Sequence, residues 1–245
     1  MFSLKNHPFA VETTFNKSVV LTFAIHKEEL ENLIPECLEL DVFEDQFAFI
    51  AVALVSTKNL RPRGFPEFFG NDFNLVGYRV FVKYIDNRGK KLRGLYILKS
   101  ETNKSKMTFF GNLFSHYNYK TTDILFETKV NLLEIKSKKS NFKIVLNNNE
   151  NAILPTNSVF SDWKTARKFA GPLPFTFTYN KSKKEVLIIE GIRQNWIPKP
   201  IEVVSFNIDF FKDYNFSEVI LSNAFIIENI PYYWKKGKIE QWKKQ

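Results

Sequence analysis

Arg79 stands in a strand-like run, Phe73–Asp86, whose side chains alternate in type. Val76, Tyr78, Val80, Val82 and Tyr84 share one face, while Gly77, Arg79 and Phe81 share the other. If the second face points into a closed sheet, the guanidinium can grip a carboxylate with two parallel hydrogen bonds, and Gly77 leaves room for the ligand. If it points outward, Arg79 pairs with a surface acid. Glu190 poses a similar choice, sharing a strand face with Val186, Ile188 and Ile192. A carboxyl group among aliphatics has a raised pKa and could act as acid or base, whereas the same group at a sheet margin is a salt-bridge partner. Arg61 and Arg63 lie in the proline-bounded loop RPRGFPEFFG, which either closes over a cavity mouth or packs as a plain connector.

Other chemistries find little material. The three histidines, His7, His26 and His116, are far apart with no paired ligand spacing, and Cys37 is the single cysteine, so no metal site is expected. No phosphate-cradling loop occurs among the nine glycines, and no nucleophile elbow is present, so no cofactor is expected. Cys37 reads as a small buried hydrophobe after Pro35, and one cysteine excludes an internal disulfide and suits a reducing compartment.

The net charge of +9 is concentrated in KSKK at 136–139, KSKK at 181–184 and the lysine-rich stretch from Lys235. The first two fall between strand-like runs, where lysines solvate turns and blunt sheet edges. Without a continuous basic face or a recognisable module, no specific nucleic-acid partner is expected. No apolar run approaches the roughly 20 residues of a membrane span, and MFSLKNHPFAVETTF is unlike a signal peptide. A soluble, cytoplasmic protein without a membrane partner is the expectation.

These side chains need elements to hold them. Strands are predicted at Lys17–Ile25, Gln46–Thr57, Phe73–Asp86, Leu92–Ser100, Ile124–Ile135, Phe142–Leu146, Phe175–Tyr179, Glu185–Arg193 and Glu202–Phe211. Asn87-Arg88-Gly89-Lys90 joins the third and fourth as a hairpin, and the Asn-rich NNNEN after Leu146 reads as another turn. Leu30, Leu33 and Ile34 form one helical stripe stopped by Pro35. Met107, Phe110, Leu113 and Phe114 give helical spacing over Ser105–Tyr117, and Ser158–Ala170 reads as a helix capped by Ser158 or Ser161. Beyond Ser217 an apolar run leads through Pro231 to an aromatic tail. There is no regular βαβ alternation, which argues against a parallel doubly wound sheet. The fold class is mainly β (α+β): one domain over residues 1–245, an antiparallel closed or nearly closed β-barrel with a few flanking short helices.

Several motifs recur in an order that resembles a known superfamily. Glu28–Asp41 (EELENLIPECLELD) resembles the helix that introduces a long strand in acetoacetate decarboxylase-like proteins. Arg61-Pro62-Arg63-Gly64-Phe65-Pro66, Arg79-Val80-Phe81-Val82 and Asn195-Trp196-Ile197 resemble its YqjF-like branch more closely. The resemblance implies a cone-like barrel with flanking helices and a central cavity, and it favours an inward Arg79. The decarboxylases carry a lysine pair whose first member forms the Schiff base. Here Ser115-His116-Tyr117-Asn118-Tyr119-Lys120-Thr121 holds one lysine, one position off, and Gln46-Phe47-Ala48-Phe49 lacks the decarboxylase glutamate. Arg193 stands where the YqjF-like branch has a histidine before its Trp element.

By that resemblance Lys120 is the candidate catalytic lysine, with Phe114, Tyr117 and Tyr119 as an apolar wall that would keep it neutral. The alternative is a solvated lysine at a helix end. Lys99, Lys104 and Lys106 are the other lysines that could approach the cavity. The expected function is binding of a small carboxylate- or carbonyl-containing molecule in the lumen. Arg79, Arg61, Tyr117, Tyr119 and Trp196 are the binding candidates, and Lys120 and Glu190 the catalytic ones. The alternatives are a Schiff-base lyase and a non-catalytic interaction protein.

Overall fold

Two strands of sixteen residues, β1 (Val11–His26) and β2 (Phe47–Pro62), pair antiparallel from Val11↔Pro62 to His26↔Phe47. The computed structural model describes residues 3–147, 153–171 and 173–243. From β2 the sheet continues through β3 (Asn71–Ile85) and β4 (Lys91–Thr102). Asp86 accepts from the backbone N–H groups of Arg88 and Lys90, and Gly89 takes the left-handed φ of +76° that the hairpin needs. Helix α1 (Ser105–Phe114) and β5 (Tyr119–Thr121) follow, then a second sheet with β6 (Leu125–Lys129), β7 (Leu132–Ser137) and β8 (Phe142–Asn147). Helix α2 (Trp163–Ala170) returns the chain to the first sheet at β9 (Phe175–Asn180) and β10 (Glu185–Arg193). The last strands are β11 (Glu202–Ile208) in the second sheet, and β12 (Ile220–Trp234) and β13 (Lys238–Gln241) in the first.

The first sheet runs β12-β1-β2-β3-β4-β9-β10, and β10 meets β12 again through Gly191↔Trp234, Ile192↔Tyr233 and Arg193↔Tyr232. The result is a mainly β, nearly closed ring. Its outward side chains, among them Val19, Leu21, Phe23, Ile50, Tyr78 and Val80, pack on Ile135, Ile144 and Leu146 of the second sheet. Tyr78 stacks on Phe210 at 3.9 Å and Phe23 meets Phe211 at 4.7 Å. The main core therefore lies outside the ring. One end of the lumen is plugged by Phe49, Phe81, Phe160 and Phe169, with Phe49 5.4 Å from Phe160 and 5.1 Å from Phe169.

Several expectations need correction. The join between β4 and β9 is parallel, because the chain crosses the second sheet and α2 before returning in the same direction. The single strand expected over Ile124–Ile135 is the β6–β7 hairpin, broken at Val130, which is exposed with φ 53°. Helix α2 starts at Trp163, capped by Asp162, whose carboxylate accepts from the Thr165 N–H at 2.8 Å. Ser158, offered as a cap, instead donates to the Ser222 carbonyl. Strand β11 stops at Ile208 and passes into a 3-10 turn, Asp209–Tyr214. Most of the Asn-rich turn after Leu146 lies outside the described residues. Among the described residues no helix is long and apolar enough to cross a membrane.

Candidate functional site

The lumen above the phenylalanine plug is a cavity of about 560 Å³. Alternation supplies its walls: Ala51, Ala53, Val55 and Thr57 from β2, and Phe73, Leu75, Arg79 and Phe81 from β3. Two irregularities add polar groups that strict alternation would turn outward. A bulge between Phe15 and Lys17 switches β1, so that Ser18 and Val20 face in after Phe15. On β4 the register jumps from Tyr78↔Lys99 to Arg79↔Ile97, which brings Ser100 inward after Leu95 and Ile97.

Arg79 projects into this space, and its Nε is buried without a hydrogen-bond partner among the described residues. The guanidinium folds back over Gly77, where a Cβ would meet Nε at 2.9 Å and Nη2 at 3.1 Å. Tyr117 and Tyr119 stand beside it, their rings 6.1 Å apart and edge-on. Burial pushes Tyr119 up to about 12 and Tyr117 higher still, while Arg79 pulls both the other way. Both phenols are therefore neutral hydrogen-bond donors at ordinary pH. Tyr119 is fixed by Asn112 of α1, whose side-chain oxygen accepts from its N–H (2.7 Å) and whose amide donates to its carbonyl (2.9 Å).

Arg193, at the end of β10, is a second lining guanidinium. It lies flat on Trp196 at 4.3 Å and 5.6 Å from the Tyr232 ring, and Nη2 donates to the Leu173 carbonyl at 3.1 Å. Its Nε and Nη1 are buried without partners among the described residues. Arg61 reaches the mouth, but Glu12 takes its charge at 2.8 Å and the Phe65 carbonyl accepts from its Nε. The loop 61–70 does border the opening, through Arg61, Phe65 and Phe69. Lys106 of α1 is the lining lysine. The described lining thus carries Arg61, Arg79, Lys106 and Arg193 and no Asp or Glu.

Five of the seven sequence candidates, Arg79, Arg61, Tyr117, Tyr119 and Trp196, meet at this cavity. Two do not. Lys120 is exposed on β5, pointing away from the lining set. Glu190 is half-exposed and paired with Lys235 at 2.8 Å, the salt-bridge alternative for that position. Cys37 is buried, with its thiol pushed up to about 12 by burial, an inert core group. Thr176 and Tyr232 were not foreseen. Thr176 depends on the parallel β4–β9 pair, and Tyr232 on β12, which the sequence offered only as an apolar run leading to an aromatic tail. Among the described residues no group of three acidic, histidine or cysteine side chains could hold a metal ion.

A family model, DUF2071, described as an uncharacterized conserved protein, matches residues 12–231. The chain belongs to the DUF2071 family. No curated protein matches this DUF2071 chain in sequence. Solved structures match it in fold. Acetoacetate decarboxylase from Legionella pneumophila aligns with TM-score 0.65 and 11% identity, covering 95% of this chain and 88% of that one. An acetoacetate decarboxylase-like enzyme from Sphingomonas wittichii aligns with TM-score 0.57 and 10% identity, covering 98% and 95%. The enduracididine biosynthesis enzyme MppR, complexed with pyruvate, aligns with TM-score 0.57 and 7% identity, covering 96% and 92%. At these identities the likeness establishes the fold: this DUF2071 chain has an acetoacetate decarboxylase-like architecture.

Proposed function

We propose that the chain binds a carboxylate-bearing small molecule in the lumen, with Arg79 as its anchor. The observation that carries this reading is charge: Arg79, its Nε sealed and unpartnered among the described residues, projects its guanidinium into a lining without a single described carboxylate. A partly buried cation without a counter-ion is costly, and a carboxylate held by the terminal guanidinium nitrogens relieves that cost while Tyr117 and Tyr119 donate to its oxygens. The similar fold of MppR, complexed with pyruvate, supports a lumen that admits a carboxylate. The test is titration with a panel of carboxylates by calorimetry, comparing the unaltered chain with Arg79→Met. Loss of a charge-assisted bidentate contact predicts roughly 10- to 100-fold weaker binding. Binding indifferent to Arg79→Met sinks the reading.

A Schiff-base lyase is the second reading, and Lys106, which lines the cavity, is the observation that favours it over Lys120. Borohydride trapping with β-keto acids, read by peptide mapping, distinguishes the two lysines. An adduct on Lys106 that Lys106→Ala abolishes supports the lyase; an unlabelled chain, beside a labelled decarboxylase control, removes it for those substrates.

A further inference from the structure

We infer that the ligand is an amphipathic monocarboxylate, its acid group at Arg79 and an apolar chain of roughly twelve to sixteen carbons running to the cavity mouth. The inference rests on the carboxylate reading above and adds what the rest of the molecule must be.

Size argues first. A cavity of about 560 Å³ is in the range that holds ligands far larger than pyruvate, roughly 300–1,000 Å³. An acid of pyruvate's size at Arg79 would leave most of the lumen unfilled. Length argues next. The guanidinium lies over Gly77, and Asn71 marks the mouth end of the same strand, six residues away. At roughly 3.3 Å per residue that is about 20 Å. The mouth is identified by residues that line the cavity and also meet solvent: Phe65 at 51% exposure, Phe69 at 50% and Phe110 at 42%. Phe68, tilted against Phe69 at 4.3 Å and 80% exposed, extends this aromatic rim.

The wall between anchor and rim sets the chemistry of the chain. Leu75 and Phe73 from β3, Val55 from β2 and Phe15 from β1 make it apolar, with Thr57 adding one hydroxyl and no charge. The number of acid groups follows from the cations. Arg61 is neutralised by Glu12, and Arg193 is pressed on Trp196 with Nε and Nη1 buried and Nη2 already given to the Leu173 carbonyl. Lys106 is exposed at the mouth, where a long stem keeps its ammonium in water. Arg79 is left as the interior cation for one acid head.

The test is a chain-length series, pyruvate, butanoate, octanoate, dodecanoate and hexadecanoate with dodecanol as the uncharged control, read by calorimetry and by the fluorescence of Trp196 and Trp234, which line the cavity. The expected result is tightening of roughly two- to fourfold per methylene up to dodecanoate, with levelling by hexadecanoate. Dodecanol should bind at least tenfold more weakly than dodecanoate. Leu75→Trp, which fills the path between anchor and mouth, should weaken dodecanoate at least tenfold and spare butanoate. A flat series, or pyruvate bound as tightly as dodecanoate, overturns the inference; if that binding still needs Arg79, the carboxylate reading stands. A rising series in which dodecanol matches dodecanoate and Arg79→Met changes nothing overturns the carboxylate reading and the head placement together.

Discussion

The guanidinium of Arg79 lies directly over the α-carbon of Gly77, two residues earlier on the same strand, at a spacing no side chain at 77 could share. The missing Cβ thus sets where the positive charge sits. Alanine at 77 would push against Nε and Nη2 at 2.9 and 3.1 Å, the far end of a flexible side chain, so the guanidinium must swing away while the strand persists. Gly77→Ala should weaken carboxylate binding at least fivefold and leave the melting temperature within a few degrees. Undiminished affinity, measured by calorimetry, would show that the folded-back rotamer is not the binding one.

His7 couples the N-terminal segment to pH. Its Nδ1 is 3.0 Å from the Phe9 carbonyl, its backbone N–H donates to the Phe114 carbonyl, and burial lowers its pKa to about 4. The folded state therefore prefers neutral imidazole, whereas the unfolded chain takes up a proton near 6.5. Stability is full above about 6.5 and falls as pH drops toward about 4. Between pH 7 and 5 the loss should be about 2 kcal/mol, an order-of-magnitude figure. Denaturant midpoints at both pH values in the unaltered chain and in His7→Gln provide the check; an equal acid slope in the variant would assign the effect elsewhere.

Thr22 and Asn223 face each other across β1 and β12, both fully buried. Oγ1 of the first and both amide atoms of the second lack hydrogen-bond partners among the described residues. Thr22→Val replaces the hydroxyl with a methyl of the same shape, and should stabilise the fold by about 1 kcal/mol. For a chain of this length that corresponds to a rise in Tm of roughly 2–4 °C. A fall in Tm would show that water bridges the pair.

Asp162 holds the first turn of α2 through the Thr165 N–H and hydroxyl, both at 2.8 Å. Asp162→Ala should cost about 1 kcal/mol, while Ser158→Ala and Ser161→Ala should each cost less. Chemical denaturation of the three variants measures the order directly.

The contrast between Asp162 and the two serines illustrates what a sequence discloses. Alternation is a local property, so spacing alone assigns Gly77, Arg79 and Phe81 to one face, and the Gly89 hairpin follows from its turn residues. The side chains of one helix or strand are legible for the same reason. What escapes depends on distant pairings or on single-residue irregularities. Ser100 enters the lumen because of one shifted residue on β4, and Tyr232 because the final long strand closes on β10. Lys120 and Lys106 differ for a similar reason. Helix α1 ends at Phe114, and the strand that follows turns Tyr119 inward under Asn112 and Gly111 and leaves Lys120 facing water. Val130 adopts a left-handed turn that its β-branched side chain disfavours, so propensity alone reads through it.

The order of strands around the ring has a consequence for synthesis. β1 is flanked by β2, which begins at Phe47, and by β12, which completes at Trp234. At about 5–20 residues per second, a ribosome needs roughly 10–40 s to advance from the first flank to the second. Throughout that interval the nascent chain carries a sixteen-residue strand with one row of backbone amides and carbonyls unclaimed, the kind of edge that recruits stray strands. Truncations that stop short of residue 220 would keep that edge open permanently, and should aggregate or be held by chaperones.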